Sequence, residues 1–232
     1  MTSSGGPSHI ENAFAQVRTA YRLLHAYHRR LFDLLCLTRD KVAKDWADLP
    51  APSWGPCSFD APPKRNADPT EKWVQDFMPL ELAYFQWASS AEPKAGTFYL
   101  WIQHIGDDAL MNDPTTEEPD ASTFASAETS RTKLTVCVVM VLKMNASARL
   151  PDWNAVDKRI RKAPGIQEAQ WTDEQVHLVE ASDASIAFVG FEVDAHTVAT
   201  RASAQAFATR VSTLVGKVHK LLGGDAAAAP KK

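Results

Sequence analysis

The chain has 232 residues, 45% hydrophobic and 23% charged, a globular composition that excludes a fibrous or wholly disordered protein. Its formal charge of -3 supplies no broad positive field, which argues against nucleic acid as the main partner. The longest apolar run, Leu134 to Leu142, is too short to span a bilayer as a helix, and Met1 to Ser8 lacks the form of a signal peptide, so we expect a cytoplasmic protein with no membrane partner.

The first predicted element is a long helix. Ser8 and Glu11 stand at capping-box spacing. From there Ile10, Phe14, Val17, Tyr21, Leu24, His28, Leu31, Leu35, Thr38 and Val42 recur at alternating intervals of four and three, a heptad seam. Leu23, Tyr27 and Leu34 widen the stripe, as packing on a sheet or on several helices requires. The helix should end near Trp46, ahead of Pro50 and Pro52. At roughly 1.5 Å per residue it would be about 55 Å long, enough to project from its core or pair with another chain.

Pro50 to Pro69 reads as an irregular surface crossing. Met78–Trp87 and Thr97–His104 are strand candidates, joined into a hairpin through Glu92 to Gly96. Asp107 to Ser130 is acidic and rich in Ser and Thr, the composition of a flexible loop. Lys133–Met144 is apolar on both faces: Val136, Val138 and Met140 point one way, Cys137, Val139 and Val141 the other. A short helix starts at Pro151-Asp152 and stops at Pro164-Gly165, with a basic face of Lys158, Arg159, Arg161 and Lys162. Ile166–Trp171, Gln175–Ala181 and Ser185–Val193 read as a meander, and a last helix runs from about Val198 to Leu222, capped by Asp194 or Thr197.

These elements predict one α+β domain over residues 8–222. It has a predominantly antiparallel sheet of about six strands, long N- and C-terminal helices, one short helix between strands, and disordered tails at 1–7 and 223–232. The terminal helices can cover one sheet face. The short helix looks too small for the other, which favours a homodimer.

Candidate chemistry is sparse. Cys36, Cys57 and Cys137 are odd in number and widely spaced, which fits reduced thiols. Cys36 and Cys137 lie in apolar settings, and Cys57 alone is expected to be accessible. His25 and His28 share a helix face, but no acid joins them in a known metal pattern. His104, Asp107, Asp108 and Asp113 form the densest ionisable cluster, able to hold a divalent metal if the acidic loop folds back. Asp194 and His196 flank a strand end and are further candidates for proton transfer or metal binding. Their plainer readings are a solvated loop and a helix cap. Nucleotide-binding glycine loops, the serine-hydrolase elbow and the HExxH motif are absent.

Three functions follow as expectations. The first is a non-enzymatic, self-associating interaction or assembly protein that binds a protein partner and needs no cofactor. Its motives are the heptad-like helices and the many tryptophans, Trp54, Trp73, Trp87, Trp101, Trp153 and Trp171 among them. The second is a metal-dependent hydrolase or nuclease using His104, Asp107 and Asp108, with Asp194 and His196. The third is a small-ligand sensor with a pocket lined by Tyr84, Phe98, Trp101 and Phe188. Alanine richness suggests a high-GC bacterial source.

Overall fold

The structure, a computed structural model, describes residues 9–46, 53–54, 58–59, 82–88, 90, 92–108, 126–148 and 150–223. Most of the expected crossing at 50–69, most of the acidic loop and most of the two tails lie outside the described residues; where the crossing is described it is not irregular, since Ser53–Trp54 and Ser58–Phe59 pair as short strands with Leu82–Ala88.

The long helix forms as the heptad pattern requires: α1 spans His9–Asp45. The sheet contains two short strands, β1 (Ser53–Trp54) and β2 (Ser58–Phe59), and the hairpin of β3 (Leu82–Ala88) and β4 (Phe98–Ile105). It continues through β5 (Lys133–Met144), β6 (His177–Glu180) and β7 (Ala184–Asp194). The order is β1-β3-β4-β5-β7-β6, with β2 also on β3, and every pairing is antiparallel. The expected α+β class with a sheet of about six strands is therefore close to the five longer and two short strands described.

Strand β5 lies at the centre and is buried on both faces, as its continuous apolar run predicts. Leu134, Val136, Val138 and Met140 join Leu100, Ile102, Val189 and Phe191 on one face. There they meet the C-terminal half of α1 and the last helix, α3 (Arg201–His219). Cys137, Val139 and Val141 join Trp101, Ile186 and Phe188 on the other. That face is covered by α2 (Trp153–Arg161), through Trp153, Val156 and Ile160, with Leu150 and Trp171 beside it. The short helix thus has help from its flanking segments, and an uncovered sheet face no longer argues for a second chain.

Three local expectations are corrected. Ile166–Trp171 is not a strand: Glu168–Trp171 forms a 3-10 turn. The segment has only two large apolar residues, and Trp171 turns inward to stack on Phe188 with ring centroids 4.7 Å apart. Gly190 permits this crossing, because a Cβ there would lie 2.2 Å from the Trp171 carbonyl oxygen and 2.5 Å from that of Val136. The cap of α3 is neither Asp194 nor Thr197 but Thr200, whose hydroxyl accepts from the Ser203 N–H at 3.1 Å. The basic face of α2 is partly spent on the fold. Arg159 donates twice to Asp183, at 2.7 and 3.0 Å, and Arg161 pairs with Asp157 while lying over the Trp171 ring. By contrast the predicted start of α2 holds, with Asp152 accepting from the Ala155 N–H at 2.8 Å.

The end of α1 is locked to α3. Trp46 Nε1 donates to the Ser212 carbonyl and hydroxyl oxygens, both at 3.1 Å, and the Ser212 hydroxyl donates to Asp45 at 2.6 Å. Gly216 gives the indole room: a Cβ there would come within 2.6 Å of the ring.

Candidate functional site

Antiparallel pairing brings the ends of β4 and β7 to the start of β5, with Ile105 opposite Lys133 and Lys133 opposite Asp194. His104, Asp107, Asp108, Asp194 and His196 therefore share one end of the sheet, although they are distant in sequence. Their side chains do different work. His104 is fully buried beneath α1, and its Nε2 shares a 2.6 Å hydrogen bond with the Tyr27 hydroxyl. Burial pushes the Tyr27 pKa up to about 12, so the phenol is protonated at neutral pH.

Asp108 accepts from the Arg131 backbone N–H at 2.7 Å and pairs with Lys133 at 3.1 Å. The backbone bond and then the lysine hold its carboxyl below the usual range. Asp194 accepts from Arg131 Nε at 2.6 Å, and Lys133 also faces Glu192 at 3.6 Å. The carboxylates are thus interleaved with cations. His196 is exposed beside them. Asp113 lies outside the described residues, and among those described no group of three or more His, Cys, Asp or Glu side chains is placed to hold a metal ion. Arg131 and Lys133 were not singled out from sequence, because only strand register shows which acids they face.

A groove of about 600 Å³ opens between α1 and this sheet end. Leu31 and Leu34 supply its apolar lining, with Tyr27 and Arg30 on the helix side and Arg131, Asp194 and His196 opposite. This is not the pocket expected from sequence. Phe98 belongs to the α1/α3 side of the sheet, whereas Trp101 and Phe188 belong to the α2 side. All three are buried in packed core, and the Tyr84 side chain lies outside the described residues.

The tryptophans also find internal roles. Trp87, Trp101, Trp153 and Trp171 are buried, and Trp153 Nε1 donates to the Ser90 carbonyl at 2.9 Å. Trp73 and the Trp54 side chain lie outside the described residues. Cys137 is buried as expected and its thiol pKa is pushed up by desolvation, but Cys36 is exposed, contrary to the sequence reading. Cys57 lies outside the described residues.

Among the described residues, the exposed large hydrophobic side chains lie on α1. Ile10 is 66% exposed, Phe14 61%, Val17 50%, Tyr21 64% and Leu24 39%. These are five successive seam positions, one turn after another up the helix. Beyond them the same seam enters the core at Leu31. No helix among the described residues is long and apolar enough to cross a membrane.

A family model for the PM0109 family matches residues 8–215, nearly the whole length of the chain, and the chain belongs to that family. No curated protein and no solved structure matches it.

Proposed function

We propose that this PM0109 member is a non-enzymatic assembly protein that self-associates through the exposed apolar stripe of α1. One observation carries the reading: five consecutive heptad positions stand in water on a seam whose continuation is core. Burying a large apolar side chain is worth about 1.5–3 kcal/mol relative to exposure, so covering even part of this stripe offers a strong drive to associate. Contiguous apolar patches on soluble proteins commonly mark contact sites. The hydrolase reading draws less support, since Asp108 and Asp194 are engaged by Lys133 and Arg131.

Light-scattering mass measurement tests the proposal. The wild-type chain should give a multiple of its monomer mass at about 100 µM, a concentration suited to a small interface. A Phe14→Ser/Tyr21→Ser variant should be monomeric with unchanged helix content. A monomeric wild type at that concentration would overturn the reading.

A further inference from the structure

We infer that the occupant of the α1 stripe is the same stripe of a second copy, running antiparallel. The inference rests on the self-association proposed above and adds its geometry. From Leu31 onward the seam is filled by the chain's own sheet and α3: Leu31, Leu35, Thr38 and Val42 are each at most 5% exposed. A parallel partner in register would have to lay its own residues 31–42 along this filled stretch. An antiparallel partner needs only residues 10–21, and its body then lies beyond the opposite end of the first copy's helix.

The heptad sets the register. In an antiparallel pair the two kinds of seam position alternate across the interface. Placing the two-fold axis between residues 15 and 16 sets Phe14 of one copy against Val17 of the other, and Ile10 against Tyr21. All four are exposed in the chain. On one flank Glu11 of each copy then faces Arg18 of the other. On the opposite flank Ala13 faces Ala20, and these small residues let the helices approach closely. A register shifted by one heptad sets Arg18 against Arg18 of the other copy in one direction and Glu11 against Glu11 in the other, a like-charge contact either way. Charge and shape therefore select the same alignment.

Four layers make a short seam, so the pair is a weak, exchanging dimer. Spin-label distance measurements on the full chain read its orientation. Labels go on Gln16→Cys or Ala26→Cys, each with Cys36→Ser and Cys57→Ser; Cys137 is fully buried and stays unlabelled. With a rise of 1.5 Å per residue and helix axes 8–10 Å apart, the Gln16 labels should lie about 20 Å apart and the Ala26 labels about 35–40 Å apart. Two equal short distances would overturn the antiparallel geometry and leave self-association standing. Absence of any distance, with a monomeric mass, would remove both. The register has its own test: Glu11→Arg should raise the dimer Kd about fivefold, and adding Arg18→Glu should restore it. A single substitution without effect, or a double variant without rescue, would overturn the alignment.

Discussion

The two halves of α1 carry the same heptad and meet opposite fates. Residues 10–26 are exposed throughout, while Leu31, Leu34, Leu35, Thr38 and Val42 are buried. Neither periodicity nor side-chain size separates them: Phe14 and Tyr21 are bulkier than Leu31, Leu34, Leu35 and Val42. What separates them is the reach of the rest of the chain. The helix has 37 residues, and the sheet and α3 extend only far enough to cover its C-terminal part. A seam repeat therefore records that a helix wants a partner. It does not say whether that partner is in the same chain.

The largest effect expected from this contrast is a difference between two truncations. Leu35→Ala should cost about 3 kcal/mol in urea unfolding, because it opens a cavity in a packed core. Tyr21→Ala, measured at a concentration where the chain is monomeric, should change stability by less than about 0.5 kcal/mol. Equal losses would mean that residues of the same chain cover the exposed half.

A second, smaller effect concerns the lock that holds the buried half in place. Trp46→Phe removes the indole donor to Ser212 and should cost about 1–2 kcal/mol. Gly216→Ala pushes a methyl against the indole and should cost about 1–3 kcal/mol. Because both act through one contact, the double variant should lose less than the sum in a double-mutant cycle. Strict additivity would show that the indole is not what clamps α1 to α3.

The smallest effect lies at the junction of the halves. His28 is half-buried, and desolvation first, then the neighbouring His25, lowers its pKa below the usual 6.5. A lowered imidazole pKa means that the unfolded chain takes up the proton first as pH falls. The stability contribution is thus full above the unfolded pKa and declines as pH drops through it toward the folded value. His28→Gln should flatten the fall in stability that begins as pH drops below about 7. An unchanged slope would assign that titration to another group.

The fold was more legible than the candidate site. The bounds of α1, the β3–β4 hairpin, the face parity of β5 and the start of α2 at Pro151-Asp152 all followed from local spacing, since each depends on backbone periodicity or on a bond made within one turn. Ile166–Trp171 was misread because its conformation is set by Trp171 packing on Phe188 and crossing over Gly190, contacts remote in sequence. The polar end of the sheet was legible as a set of residues but not as an arrangement. His104, Asp108 and Asp194 were visible one by one, and only the register placed Arg131 and Lys133 among them.

By itself the sequence determined the helices and longer strands, their order and which side chains seek burial, because periodicity and capping are properties of a few neighbouring residues. Tertiary structure alone decided which of those side chains find cover. It put Leu31, Leu35 and Val42 against the sheet and α3, drew Trp87, Trp101, Trp153 and Trp171 inside, and left Ile10 to Leu24 in water. Burial depends on how far other elements reach in space, and no spacing along a single helix encodes that distance.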